Sequence, residues 1–118
     1  MNIEDGKGLR FRINVKDHTA SFINSPNASR DVYIPHSIEY QNSKYIITSI
    51  DKYAFRGNQI DSVFFPDNSE VKIFKSESFY KISFKSLYIP PSLEKIEPGC
   101  FFQVQKSFSI TISKKNQH

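Results

Sequence analysis

Three histidines, one cysteine and a scatter of carboxylates are the side chains of this 118-residue chain that could serve catalysis or hold a metal. His18, His36 and His118 stand in different parts of the chain, with no carboxylate or cysteine at ligand spacing. There is no HExxH pair, no Gly-rich phosphate loop and no GxSxG elbow. Cys100 stands just before Phe101, as Ala54 stands before Phe55, so it reads as a small core residue and not as a nucleophile. His36 follows Pro35 and reads as a solvated turn residue. Glu39, Glu94 and Glu97 lie in different stretches, and paired-carboxylate chemistry requires both their approach and a cleft, neither of which the sequence predicts. The expectation is a non-enzyme with no cofactor and no metal site.

The chemistry that the sequence does suggest is recognition. Three short triplets, Val32-Tyr33-Ile34, Val63-Phe64-Phe65 and Leu87-Tyr88-Ile89, are each followed at once by proline: Pro35, Pro66 and Pro90. A triplet of this kind suits a strand, and the proline ends its hydrogen bonding. With the flanking residues inward, period two turns Tyr33, Phe64 and Tyr88 outward, and in a fourth unit Ser109. Parallel strands stack about 4.8 Å apart, so these residues form one column. Ser62, Ser86 and Ser107 form a second column beside it. An aromatic ladder edged by hydroxyls offers apolar area with polar trim, as protein-recognition surfaces do. The candidate protein-binding residues are therefore Tyr33, Phe64 and Tyr88 as anchors, with Ser62 and Ser86 as adaptable polar contacts. Aromatic neighbours also support strand pairing by roughly 0.2–1 kcal/mol each, with or without a ligand. Phe64 favours recognition, because an exposed Phe between two exposed Tyr is awkward unless something covers it.

The ladder depends on the chain repeating itself. The strand-ending prolines recur after 31 and then 24 residues, and the closing aromatics Phe55, Phe79 and Phe101 after 24 and 22. Ile50, Phe74 and Ile96 each stand five residues before the closing Phe. Between the strand and the closing aromatic, the pair Leu93 and Ile96 turns the chain. The first unit carries the insertion EYQNSKYIITS, which reads as a β-hairpin turning at Gln41-Asn42-Ser43-Lys44. No unit contains an amphipathic helix of ten residues, so each must stack on a neighbour to bury its apolar face. Ahead of the repeats, Leu9, Phe11, Ile13 and Val15 alternate with Arg10, Arg12 and Asn14, and Ala20 and Phe22 continue the apolar face after a turn. This is a hairpin suited to cover the open end of a stack. The chain is thus expected to be one domain: residues 1–29 a capping hairpin, 30–112 about three and a half repeats, and 113–118 a frayed tail.

The formal charge of +4 is spread over scattered Lys and Arg, which reads as a solvated surface. No nucleic-acid partner is expected, although a weak polyanion contact through Lys72, Lys75, Lys81 and Lys85 is an alternative. One cysteine allows no intrachain disulfide. The polar start MNIEDGKG shows no secretory signal, and no run approaches a membrane span. Asn27-Ala28-Ser29 is a glycosylation sequon that matters only if the chain is secreted.

The pattern L-x-I-P-x-S-[IL]-x-x-I-x-x-x-x-F, over roughly residues 30 to 112, resembles the BspA-like (Treponema-type) leucine-rich repeat family, abundant in surface antigens of bacteria and of protists such as trichomonads. It is strongest in IPHSIEYQNSKYIITSIDKYAF and LYIPPSLEKIEPGCF. The resemblance implies a β-rich solenoid with short strands and short 3-10 or helical turns. It also implies a non-enzymatic binding module on a cell surface, contacting host-cell or extracellular-matrix proteins; with no signal visible, a cytoplasmic location stays open. The family usually has Gly after the turn-entry Ile, where this chain has Asp51, Lys75 and Glu97, and Asn-Gly in the inserted turn, where it has Asn42-Ser43. Both changes are expected to loosen turns. A rival expectation is self-assembly through the open edge of the last strand, blunted by Lys114 and Lys115.

Overall fold

The structure, a computed structural model, describes residues 1–6, 8–24, 31–55, 60–79 and 86–101, together with the backbone of 109–112. It begins with an antiparallel meander. β1 (Asn2–Glu4) pairs with β2 (Arg10–Asn14), and β2 pairs with β3 (Thr19–Asn24). Alternation along β2 puts Phe11 and Ile13 in the core and Arg10, Arg12 and Asn14 in solvent. Ala20 and Phe22 are buried opposite them, and the Phe11 and Phe22 rings meet edge to face at 5.7 Å. The sequence reading missed β1, which pairs Ile3 with Phe11. It also put Val15 on the apolar side. The strand ends at Asn14, so Val15 falls in the turn and is 58% exposed.

From there the chain coils, and each of the first three coils contributes a strand to two sheets. The front sheet runs β4 (Asp31–Tyr33), β7 (Ser62–Phe64), β9 (Ser86–Ile89) and β11 (Ser109–Ile112), all parallel. The back sheet continues the meander: β3 pairs in parallel with β6 (Ser43–Ile50), which pairs with β8 (Ile73–Phe74) and that with β10 (Lys95–Ile96). Val32, Val63 and Leu87 lie in register in front, and Ile50, Phe74 and Ile96 behind. All but Ile96 are buried; Ile96, on the last back strand, is 46% exposed, so the expected apolar pair Leu93 and Ile96 is only half delivered. Phe11, Phe22, Phe55, Phe74 and Phe79 are completely buried, each worth about 1.5–3 kcal/mol over an exposed side chain.

The inserted hairpin joins β5 (Ser37–Tyr40) to β6 with Tyr40 opposite Ser43. The loop is therefore only Gln41-Asn42, narrower than the expected four residues. Both have positive φ, 50° and 65°, the signature of a type I′ turn whose twist matches the strands.

Among the described residues there is no helix, and the expected short helical segments are β-turns. In Asp51–Ala54, Lys75–Ser78 and Glu97–Cys100 the fourth residue's N–H donates to the first carbonyl, at 3.1, 3.2 and 3.2 Å. The third residue has positive φ: Tyr53 62°, Glu77 56° and Gly99 75°. With Pro98 ahead of Gly99, this is the type II pattern. The position that favours glycine is thus two residues after the one occupied by Asp51, Lys75 and Glu97. Those three have ordinary backbone, and their N–H groups donate to the preceding coil at Phe22, Ile50 and Phe74 (2.9, 3.0 and 2.9 Å). They do not loosen the turns as expected. Successive turns are also tied together, with Phe55 N–H donating to Ser78 and Phe79 N–H to Cys100 (2.8 and 3.0 Å).

The fourth front strand enters two residues later than the sequence alignment sets it. Ser109 lies opposite Ser86 and Thr111 opposite Tyr88, so Ser109 extends the serine column and not the aromatic one. The β-branched run Ile110-Thr111-Ile112 suits the paired positions better than Phe108-Ser109. Ser107, the Asn27 sequon and the tail 113–118 lie outside the described residues.

The turn geometry yields a paired prediction. Replacing Gly99 by Ala meets no steric obstacle, since nothing lies within 4 Å of the added carbon. It should still lower unfolding stability by about 1 kcal/mol, because an L side chain resists positive φ. Glu77→Gly should raise stability by a similar amount. Urea denaturation midpoints of the two variants check both signs.

Candidate protein-binding face

Along the front sheet, Tyr33, Phe64 and Tyr88 stack in one column as the sequence anticipates. The Tyr33 and Phe64 rings lie 4.7 Å apart and 11° from parallel, and Phe64 and Tyr88 are 4.6 Å and 16° apart. These separations match the strand spacing. Each ring therefore covers its neighbour's face and turns its edge to solvent, which leaves Phe64 and Tyr88 half-buried. Tyr33, on the edge strand β4, has one such neighbour in the ladder and is 63% exposed.

Ser62 and Ser86 pair in register beside the ladder, both half-buried. Their column continues to Asp31, opposite Ser62. Sequence reasoning missed Asp31, although it stands two residues before Tyr33 as Ser62 does before Phe64; the change from hydroxyl to carboxylate hid the match.

Two hollows flank Tyr33. One, of about 460 Å³, is lined by Tyr33, Pro35, His36, Phe64, Phe65 and Pro66, so the strand-ending prolines form its wall. His36 is not the solvated turn residue expected: its side chain is 22% exposed and its Nε2 lies 2.7 Å from Glu70 Oε2, joining the first coil to the second. The other hollow, of about 580 Å³, is lined by Glu4, Asp5, Tyr33, Pro35, Ser37 and Glu39, among others. The carboxylates come from the end of β1 and from the inserted hairpin, elements far apart in sequence. Overlooking β1 is what kept this hollow out of the sequence reading. Glu4 pairs with Arg10 at 3.0 Å, and Asp5 Oδ1 accepts from the Leu9 N–H at 3.0 Å.

The groups considered for catalysis stay apart. His18 sits edge-on to Tyr45, 5.6 Å away, and His118 lies outside the described residues. Glu39 faces the acidic hollow, Glu94 is exposed elsewhere, and Glu97 Oε1 accepts from the Ser76 N–H at 2.9 Å. Among the described residues no three His, Cys, Asp or Glu side chains gather so as to hold a metal, and no helix is long and apolar enough to cross a membrane.

The repeat that builds this face can be placed among known proteins. Residues 27–118 match the BspA type leucine rich repeat region, in six copies. The chain belongs to that family. A leucine-rich repeat protein from Bacteroides capillosus ATCC 29799 has the same fold, with a TM-score of 0.64 at 21% identity over 95% of this chain and 98% of that one. A leucine rich cell surface protein from Faecalibacterium prausnitzii A2-165 gives 0.55 at 16% identity, over 98% of this chain and 43% of that one. This BspA-type chain thus spans less than half of the second protein. A search of curated proteins finds no match. The family points to a protein-interaction repeat module.

Cys100, at the small position before the last closing aromatic, is 2% exposed with its Sγ 3.1 Å from Ser78 Oγ. Burial pushes its thiol up to about 11, and the Ser78 hydrogen bond only partly offsets this. The native thiol should therefore resist iodoacetamide at pH 8 and react only after denaturation, which mass spectrometry of the alkylated chain reads directly. The sign for stability follows: the raised value leaves stability intact below the unfolded thiol's range and removes it as the pH climbs from about 9 toward 11.

Proposed function

We propose that this chain is a non-enzymatic binding module of the BspA-type leucine-rich repeat family that presents its front sheet to a protein partner. The observation that carries the reading is the stacked ladder Tyr33–Phe64–Tyr88, held at strand spacing on a solvent-facing wall with Ser62 and Ser86 beside it. Three rings in a fixed column form a rigid contact surface whose ordering is complete before a partner arrives, so little side-chain entropy remains to be lost on binding. The partner would be a host-cell or extracellular-matrix protein and the role adhesive, as the resemblance of the repeats implies; a solved protein of the same fold is named a cell surface protein.

Phe64→Ser and Tyr88→Ser separate recognition from packing. Each should lower retention of the purified chain on matrix-protein-coated surfaces at least tenfold while lowering unfolding stability by only about 1 kcal/mol. Retained binding with a large loss of stability would make the ladder purely structural.

A second reading, self-assembly through the open edge of the front strand β11, is favoured by Ile96, 46% exposed on β10, which ends the back-sheet order as β11 ends the front. Gel filtration with light scattering distinguishes the two. The main reading expects a monomer at every concentration; a mass that rises with concentration and falls on Ile96→Lys supports assembly. The polyanion alternative has less support, because Lys75 Nζ is engaged by Asp51 at 3.2 Å. Lys81 and Lys85 lie outside the described residues.

A further inference from the structure

We infer that the front face selects an extended partner segment in which an apolar residue is flanked by arginine or lysine. The apolar side chain would rest against Phe64 and Pro35, and the cation would meet Tyr33 and Glu39. This rests on the protein-binding reading above and names the chemistry of the partner.

The argument starts from the end of the ladder. Phe64 and Tyr88 show mainly their edges, because neighbouring rings cover their faces. Tyr33 is different: β4 is the edge strand of the front sheet, Phe64 covers one ring face, and the residue remains 63% exposed. It borders the hollow that Glu4, Asp5 and Glu39 share. The face of an aromatic ring carries the negative lobe of its quadrupole, so a cation is attracted to it. Carboxylates beside such a face reinforce the same preference. A guanidinium satisfies both, stacking on the ring and bonding to a carboxylate.

The charge is local. The chain as a whole carries +4, yet three carboxylates line this hollow, with Glu4 bonded to Arg10 and Glu39 opposite Lys44 across the hairpin. An acidic spot on a basic protein complements a basic segment and repels an acidic one. The neighbouring hollow is walled by Pro35, Phe64, Phe65 and Pro66 and suits an apolar side chain. Both hollows share Tyr33 and Pro35, so one continuous segment can reach the two.

Selection of random phage-displayed dodecapeptides on the immobilised full chain tests this directly. The expected result is enrichment of Arg or Lys within a few positions of an apolar residue. A selected peptide, synthesised and followed by fluorescence anisotropy, should bind about three- to tenfold more weakly after Glu39→Gln, and equally so when its own Arg becomes Gln. Glu39 is exposed, so that variant keeps the fold; Asp5 is avoided because it also accepts from the Leu9 N–H. An empty selection, enrichment of acidic or uncharged peptides, or indifference to Glu39→Gln overturns the inference. Peptides that are lost on Phe64→Ser but indifferent to Glu39→Gln leave the ladder reading standing without the charge preference. Indifference to both variants removes both.

Discussion

Parallel backbone pairing between successive coils is the constraint on which everything else in this molecule rests. No coil here is long enough to bury its own apolar face, and none carries a helix among the described residues to help it. The chain answers by bonding each coil to the one before at three places: the front strand, the back strand and the turn that follows it. The N–H groups of Asp51, Lys75 and Glu97 reaching back to Phe22, Ile50 and Phe74 show the third of these most plainly. Once those bonds fix the rise, equivalent side chains have no choice but to align in columns.

The same rise produces two aromatic ladders with opposite fates. Inside, Phe55, Phe79 and Phe101 stack at 4.9 and 5.2 Å and form the spine of the core. Outside, Tyr33, Phe64 and Tyr88 stack at nearly the same spacing and form a wall. The outer rings stand at the outward positions of their strands, whereas the inner ones close the turns that follow the back strands. The inner ladder lowers the free energy of the fold through burial; the outer one gains far less from stacking alone.

Period two and the recurring proline were enough to read the outer ladder, the serines beside it, the inserted hairpin and the meander's inward face from sequence. The failures share a cause. β1 is only Asn2–Glu4, too short for its alternation to register, and its absence hid the acidic hollow beside Tyr33. The back strands Ile73–Phe74 and Lys95–Ile96 are two residues each, visible only through their partners. The entry of the last front strand was misjudged because it depends on how many residues the preceding turn consumes, and period two is blind to a slip of two. His36 was misread because its partner, Glu70, lies a whole coil away.

The positions one step past Ile50, Phe74 and Ile96 carry one further consequence. Asp51, Lys75 and Glu97 alternate in sign down the column, and Asp51, its side chain 9% exposed, is also bonded to Arg12 of β2 and lies 3.2 Å from Lys75. Excising the middle coil would set Asp51 against Glu97. Duplicating any single coil would likewise stack like upon like. A lone inserted or deleted coil therefore brings like charges together at this position, whereas a pair of coils preserves the alternation.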